Sequence, residues 1–324
     1  MYRKIMGFLE AWKESEHRKP LILQGARQVG KTYSILEFGR THYENVAYFN
    51  FETNPKLNKT FEENISPDYL IPILSHIAGQ TIVTEKTLIV FDEVQLCERA
   101  LTSLKYFCEN APDYHIIVAG SLLGVAVNRA KFSFPVGKVD MKTLYPMDME
   151  EFMLALGEDD LVEQIKKCFQ TDTPLPSALH DAAMQLYRQY LVVGGMPECV
   201  MQFAETKDYI LVRHTQDTIL ASYLNDMSKY NNLNEIKKTR LAYDNITVQL
   251  SKKNTRFQYK LIKKGGRASE FEKAIEWLCL SGIVSQVYKV EQIKKPLESY
   301  RDIDAFKIYV SDLGLLCAKK DLAA

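Results

Sequence analysis

The sequence predicts an α/β protein with a parallel β-sheet, followed by a helical segment and a winged-helix-like domain. Three observations predict this fold class. A glycine-bearing stretch at residues 25–32 lies between a short apolar run and a helical pattern. Apolar runs typical of buried strands alternate with helical patterns up to Pro146, which indicates right-handed crossover connections in one sheet. After Pro146 the strand patterns stop, and helical patterns with a late β-ribbon take their place.

The elements of the first part follow from the spacing of apolar residues. Helical spacing predicts a first helix over residues 2–14. Short, continuous apolar runs predict strands that are buried on both faces of a parallel sheet. The predicted strands cover residues 21–23, 46–51, 87–91, 115–119 and 136–141. The predicted helices cover residues 31–42, 55–64, 68–77 and 100–110.

The second part has a different pattern. Helices are predicted at 148–157, 161–169, 178–193 and 210–226, with a break at Gly194-Gly195-Met196-Pro197. From about residue 232 the pattern predicts a helix to 250, a basic stretch, a helix at 269–280, and a β-ribbon built from 283–290 and 306–310. Helices followed by a two-stranded wing are typical of a winged helix. We therefore expect three domains, at 1–146, 147–228 and 229–324.

Composition excludes several classes of protein. The 324 residues are 46% hydrophobic and 25% charged, which is ordinary for a globular chain. The six cysteines and six histidines show no metal-ligand spacing, so we expect free thiols and no structural metal. The N-terminus is charged too early for a signal sequence. No apolar run approaches the ~18 residues that a membrane span needs. We expect a cytoplasmic protein without a membrane partner.

Charge is unevenly distributed along the chain. Residues 228–324 hold 19 Lys and Arg against 11 Asp and Glu, whereas the rest of the chain holds 22 against 30. The excess is densest in residues 252–267, where Phe257 and Tyr259 are interleaved with basic residues. The basic residues are Lys252, Lys253, Arg256, Lys260, Lys263, Lys264 and Arg267. Three interpretations are open: contact with duplex DNA through residues 252–267, a solvated face, or a surface that docks on the acidic N-terminal half.

Residues 25–32 match the pattern GxxxxGK[ST] without a mismatch, and they connect a predicted strand to a predicted helix. Glycines let successive backbone N–H groups turn toward a phosphate, and the following helix adds its positive dipole end. The pattern predicts that Lys31 contacts the β- and γ-phosphates of ATP and that the Thr32 hydroxyl binds Mg²⁺. The predicted nucleotide-binding residues are Gly25, Ala26, Arg27, Gln28, Val29, Gly30, Lys31 and Thr32.

Asp92 and Glu93 close the apolar run at 87–91. At this strand end an aspartate holds Mg²⁺, and a neighbouring glutamate can accept the proton of the attacking water. The alternative is that both carboxylates face solvent. The strand at 46–51 between the two motifs favours the first interpretation, because this order is typical of the additional-strand class of P-loop ATPases. The adjacent acidic pair disfavours a small-molecule kinase, and no guanine-reading NKxD motif is present.

Three further polar residues are candidates for roles in hydrolysis. Ser121 follows the strand at 115–119, where this class places a polar sensor of the γ-phosphate; a helix cap is the alternative. Arg129 and Arg99 are candidates for an arginine finger that acts on a second copy, and ordinary surface arginines are the alternative. A homo-oligomer is therefore among the expected partners. The predicted catalytic set is Glu93, Lys31 and Ser121.

Eight segments occur in the order found in one family of predicted bacterial and archaeal ATPases. The segments are GARQVGKT, FDEVQ, AGSLLGV, FPVGKVD, LYPMDMEEF, VGGMPECV, RASEFEKAIEWL and FKIYVSDLGLL. The chain resembles this family over essentially its whole length. The resemblance implies an AAA+-like core, a helical segment and a winged-helix-like region. Family members typically continue into a nuclease-like domain, so this chain is expected to stop before one.

Two positions depart from the family pattern. Glu198 stands where related AAA+ proteins often have an arginine that senses nucleotide, and Thr247 stands where the family often has proline. The resemblance and the motifs together predict an ATPase that uses ATP and Mg²⁺ and couples nucleotide state to the winged-helix region. The alternative is a nucleotide-gated DNA-binding or signalling switch with little turnover.

Overall fold

The computed structural model describes residues 1–120, 134–230, 233–253 and 255–320. Residue contacts divide the chain into two compact units. The first unit comprises residues 2–145, and the second comprises residues 146–324 together with Met1. The two units are described separately below.

The first unit is built on a five-stranded sheet in which every pairing is parallel. The strands are β1 (Leu21–Gln24), β2 (Asn45–Asn50), β3 (Thr87–Asp92), β4 (His115–Ala119) and β5 (Asp140–Thr143), in the order β2-β3-β4-β1-β5. The helices of this unit are α1 (Ile5–Lys13), α2 (Lys31–His42), α3 (Lys56–Glu63), α4 (Pro67–Ala78) and α5 (Glu98–Asn110).

Burial explains why these strands form. Every residue of β3 and of β4 is buried, because helices cover both faces of a parallel sheet. The core next to β3 contains Phe51, Phe61 and Phe91, whose ring centroids lie 5.5 to 5.9 Å apart. Such aromatic contacts fix β3 against α3. As a result, the carboxyl end of β3 has a firmly held position.

The order of the strands determines which residues can meet. The carboxyl ends of parallel strands lie at one edge of a sheet, and ligands of open α/β sheets bind there. The loop after β1 and the residues after β3 share this edge, with β4 between the two strands. β2 flanks β3, and the register pairs Asn50 with Asp92 and Tyr48 with Val90. Side chains from β1, β2 and β3 therefore converge at this edge.

The second unit contains helices and a two-stranded antiparallel sheet. The helices are α6 (Met149–Ala155), α7 (Asp159–Gln170), α8 (Ser177–Val193), α9 (Pro197–Thr206), α10 (Tyr209–Tyr230), α11 (Leu233–Leu250), α12 (Ala268–Leu280) and α13 (Leu313–Lys319). The sheet pairs β6 (Val284–Val290) with β7 (Arg301–Val310). The ribbon of β6 and β7 follows α11 and α12 along the chain. The assignment of these elements to a winged-helix domain remains a prediction.

One buried carboxylate links two segments of the second unit. Asp312 is 4% exposed and caps the N-terminus of α13, where its Oδ1 accepts a hydrogen bond from Leu315 N at 2.8 Å. Its Oδ2 accepts a second hydrogen bond from Gly195 N at 2.6 Å. One donor lies in the turn before α9 and the other in the first turn of α13, so Asp312 holds these two segments together.

The structure corrects the sequence predictions at several places. The fifth strand covers Asp140–Thr143 and not 136–141, because Gly137 has φ +73° and Lys138 N donates to Pro135 O in a turn. Helix α9 was not predicted; Pro197 at its first position starts a helix after the glycine pair. Helix α13 was also missed, although Asp312 is its N-cap.

Candidate active site

Residues 25–30 form a tight loop between β1 and α2. Gly25 has φ +149°, Gln28 has φ +66° and Gly30 has φ +91°, so three residues adopt conformations that favour glycine or a turn. A Cβ on Gly25 would lie 2.2 Å from the carbonyl oxygen of Leu144. Only glycine fits at this position. The loop ends at the N-terminus of α2, where backbone N–H groups and the helix dipole favour an anion.

Lys31 is buried in the loop, which is unusual for a lysine side chain. Its side chain is 7% exposed, because the loop folds around it. The Nζ atom donates to the carbonyl oxygens of Gly25 at 2.9 Å and Ala26 at 2.8 Å. Burial lowers the pKa of Lys31 to about 8, although Glu93 and Asp92 partly oppose this lowering. A phosphate in the loop would supply the negative charge that favours the protonated amine.

Arg3 stabilises the loop from outside, although it belongs to no recognisable motif. The side chain of Arg3 is 4% exposed. Its Nη1 donates to Val29 O at 2.9 Å, and its Nη2 donates to Tyr145 O at 2.8 Å. The guanidinium thus joins the residue before α1 to the phosphate-binding loop and to the segment after β5. No local spacing could reveal contacts across 26 and 142 residues.

Asp92 at the end of β3 is 4% exposed and fixed by three donors. Its Oδ2 accepts from Thr32 Oγ1 at 2.9 Å and from the Tyr48 hydroxyl at 2.8 Å, and its Oδ1 accepts from Glu93 N at 3.0 Å. Burial and the contact with Asp92 help raise the pKa of Tyr48 to about 12, so Tyr48 stays a donor at neutral pH. Tyr48 was missed, because its position depends on the register of β2 beside β3.

Glu93 follows Asp92 with φ +52°, a left-handed conformation that is uncommon for a residue with a side chain. The carboxylate accepts a hydrogen bond from Gln95 Nε2. Burial raises the pKa of Glu93, and Gln95, Lys31 and Arg27 act in the opposite direction. The charge of each of Lys31 and Glu93 shifts the pKa of the other toward its ionised form.

The catalytic roles of Glu93, Lys31 and Ser121 stay predictions. Ser121 and Arg129 lie outside the described residues, in the part of the sequence that follows Gly120. Arg99 lies on α5, and its Nε donates to Phe61 O at 2.7 Å within the first unit. The structure therefore brings together Gly25–Thr32, Asp92 and Glu93, and it adds Arg3, Tyr48 and Gln95 to the residues named by the sequence.

These residues fit a nucleotide with a divalent cation. Hydroxyl and carboxylate oxygens are the ligands that Mg²⁺ prefers, and Thr32 Oγ1 and Asp92 Oδ2 lie 2.9 Å apart. Lys31 supplies a buried positive charge beside them, and the loop supplies backbone donors. The strained Glu93 supplies a carboxylate with a raised pKa at the same edge.

The basic stretch in the second unit is on the surface. All seven basic side chains between 252 and 267 are exposed. Lys263 Nζ lies 3.4 Å from Glu270 Oε1, and Arg256 Nη2 donates to Asp304 O. A groove of about 1170 Å³ opens beside this stretch, and α12 contributes Glu272 and Glu276 to its wall. Side chains of both charges therefore line the groove.

Two family models match the chain. Residues 17–153 match the model described as AAA domain, and residues 184–324 match a model described as a domain of unknown function (DUF8612). No curated protein matches the chain. Within the part of the chain that the structure describes, no helix is both long enough and apolar enough to cross a membrane.

Solved structures from archaea and bacteria are similar to the chain. A Walker-type ATPase of Pyrococcus abyssi is 13% identical with a TM-score of 0.60, over 98% of this chain and 95% of that one. The ORC2 protein of Aeropyrum pernix is 11% identical with a TM-score of 0.48, over 99% and 94%. The RuvB Holliday junction branch migration motor of Thermotoga maritima is 15% identical with a TM-score of 0.36, over 87% of each chain. The first of these similarities shows a shared fold.

Proposed function

We propose that this chain, whose residues 17–153 match the model described as AAA domain, binds ATP with Mg²⁺ and hydrolyses ATP to ADP and phosphate. The hydrogen bond of 2.9 Å between Thr32 Oγ1 and Asp92 Oδ2 carries this proposal. It joins the end of the phosphate-binding loop to the end of β3, so a cation held there would also contact a nucleotide in the loop.

Lys31 and the loop would hold the phosphates. The backbone N–H groups of residues 25–30 and the first turn of α2 favour the negative charge of the β- and γ-phosphates. Lys31 would exchange its bonds to Gly25 O and Ala26 O for phosphate oxygens, and its buried position makes that ion pair strong. Arg3 would keep the loop in its binding shape through Val29 O.

Thr32 and Asp92 would hold the magnesium ion, which neutralises the charge that develops on the phosphate oxygens when it is bound. The hydroxyl group of Tyr48 keeps Asp92 Oδ2 in place by its bond of 2.8 Å. Glu93 would accept the proton of the attacking water. Its raised pKa brings the carboxylate closer to the pH at which a general base works best. Ser121 would contact the γ-phosphate after β4.

The second unit would read out the nucleotide state, and the basic stretch at 252–267 would contact duplex DNA. The exposed glutamates of α12 limit how the second unit could contact DNA. Glu272 and Glu276 on α12 would repel phosphates, so the helix that a winged-helix domain presents to DNA is poorly suited to the major groove. Lysines that contact the phosphate backbone of DNA position a protein on the duplex, but they do not read the bases. We therefore infer binding with little sequence preference.

Salt dependence tests the DNA partner. If about five phosphates are neutralised, the logarithm of the affinity should fall with the logarithm of salt concentration at a slope of roughly −4 to −5. Replacing Lys252, Lys253, Lys263 and Lys264 by serine should remove most of this slope without changing ATP binding. If the unmodified protein binds no duplex at low salt, with or without ATP, the stretch docks on protein and not on DNA.

Turnover separates the proposed ATPase from a nucleotide-gated switch, and a variant of Lys31 tests the site itself. Lys31→Ala should weaken ATP binding by roughly 100-fold, because hydrogen bonds to a charged group are lost. Lys59→Ala is the matched control, since Lys59 is exposed on α3 in the same unit. Calorimetric ATP binding that is equal in Lys31→Ala and the parent would overturn the site. Tight binding with background hydrolysis in the parent would favour the switch.

A further inference from the structure

Gln95 has a carboxamide with two different environments. Its Nε2 donates a hydrogen bond to Glu93 Oε2. Its Oε1 is buried and accepts no hydrogen bond from any residue that the structure describes. Buried polar oxygens in proteins are nearly always satisfied, and each exception calls for a missing donor such as water or a ligand. The unsatisfied oxygen lies beside the carboxylate to which the hydrolytic step is assigned.

The backbone places Gln95 in this position. Glu93 has φ +52° and ψ +37°, and the residues after it turn into a single 3₁₀ turn, Val94–Leu96. Leu96 N donates to Glu93 O at 3.0 Å, which closes the turn. The turn directs the side chain of Gln95 back toward Glu93, two residues earlier. Left-handed backbone at a residue with a side chain is unfavourable and tends to occur at functional sites.

The orientation of the carboxamide follows from charge. An ionised Glu93 can only accept hydrogen bonds, so the amide nitrogen of Gln95 must face it. The amide oxygen then points away from Glu93 Oε2 and toward a donor that is not part of the described chain. A water molecule has two O–H groups, and it can donate one to a carboxylate and the other to an amide oxygen.

We propose that Gln95 is a catalytic residue that holds the attacking water together with Glu93. This inference rests on the proposed ATPase function. The water donates one O–H to the free oxygen of Glu93 and the other to Gln95 Oε1, so a lone pair of its oxygen faces the γ-phosphorus. A bond forms between this oxygen and the γ-phosphorus while the bond to the β–γ bridging oxygen breaks. ADP leaves with that electron pair, and Glu93 takes the proton.

A structural role for Gln95 would give a different result. If the amide only supported the turn, its replacement would reduce thermal stability and would affect ground-state and transition-state ligands alike. A water-holding amide acts on the transition state, in which the attacking oxygen is bound to phosphorus. ADP with aluminium fluoride and Mg²⁺ imitates that state, because the fluoride complex occupies the γ-phosphate position with a water in line.

The experiment compares Gln95→Met and Gln95→Ala with the parent protein. Methionine keeps the length of the side chain and removes both polar atoms, so the fold should be retained. Leu96→Ala is the control, because Leu96 lies in the same turn and is 40% exposed. Three quantities are measured: the Kd for ATP, the Kd for ADP with and without aluminium fluoride, and single-turnover phosphate release. Thermal unfolding is recorded for every variant.

We expect the Kd for ATP to stay within about twofold of the parent value, and phosphate release to fall by roughly 100-fold. The tightening of ADP binding by aluminium fluoride should disappear in Gln95→Met and remain in Leu96→Ala. If Gln95→Met keeps that tightening and the parental release rate, the role of Gln95 is wrong while the ATPase stands. If the parent shows neither release nor tightening, the proposed function and this inference both fail.

Discussion

Replacing Lys31 by methionine should weaken nucleotide binding and at the same time stabilise the fold. Lys31 is 7% exposed, and burial lowers its pKa from the usual 10.5 to about 8. This lowering corresponds to about 3 kcal/mol of free energy in favour of the neutral amine. At pH 7 the amine is still protonated, so the folded protein carries that cost.

The stability gained by Lys31→Met is smaller than the free-energy cost of burying the protonated amine. Methionine retains an apolar stem of similar length and has no charge. The substitution also removes the hydrogen bonds to Gly25 O and Ala26 O. Their loss offsets roughly 1–2 kcal/mol of the gain in the free energy of unfolding. We therefore expect the free energy of unfolding to rise by about 1–2 kcal/mol at pH 7. Stability and function would then oppose each other at this residue.

The pH dependence of this difference tests its cause. The unfolded parent holds the Lys31 proton up to about pH 10.5, whereas the folded parent releases it near pH 8. Between these values the unfolded state binds more protons, so the parent gains stability as pH rises. The advantage of Lys31→Met should therefore shrink by roughly 2 kcal/mol between pH 7 and pH 9.5.

Urea unfolding at both pH values measures this change for the parent, for Lys31→Met and for the control Lys59→Met. Lys59 is exposed on α3, and its substitution should have the same small effect at pH 7 and pH 9.5. An equal difference between Lys31→Met and the parent at both pH values would refute the argument that the buried charge governs stability here.

Two further predictions concern other parts of the molecule. Asp92→Asn removes the charge beside Thr32 and should raise the Mg²⁺ concentration for half-maximal turnover by roughly tenfold, because an ionised ligand is replaced by a neutral one; an unchanged magnesium titration would contradict the assignment of Asp92. Asp312→Ala leaves two buried N–H groups, those of Gly195 and Leu315, without an acceptor and should lower the free energy of unfolding by about 3 kcal/mol. Urea unfolding measures that loss, and a shift below about 1 kcal/mol would contradict the linking role of Asp312.

The sequence predicted the elements whose signal is local. Helix α2 at Lys31–His42 and strand β4 at His115–Ala119 have the predicted bounds. Gly30 marks the start of α2, and a fully buried run makes up β4. The fifth strand was misplaced, since Val136 looks like a strand residue in sequence but lies 81% exposed before a glycine turn. The correctly predicted β4 and the misplaced β5 differ in burial, which a local sequence pattern does not reveal.

The candidate site shows the same division. Lys31, Thr32, Asp92 and Glu93 could be named because a motif fixes their spacing on one loop or one strand end. The contact of Tyr48 with Asp92 depends on which strand lies beside β3 and in what register. The burial of Lys31 depends on how the loop wraps around its side chain. Such contacts arise from tertiary packing and have no local signal.

Single-turnover release of phosphate from ATP tests the central claim most directly, when it is measured for the parent and for Glu93→Gln alongside their ATP affinities. Glutamine keeps the shape of Glu93 but cannot accept the proton. We expect the parent to release phosphate only with Mg²⁺, and Glu93→Gln to bind ATP equally well and release phosphate about 100-fold more slowly. Phosphate release by Glu93→Gln at the parental rate, or no release by the parent, would contradict the account.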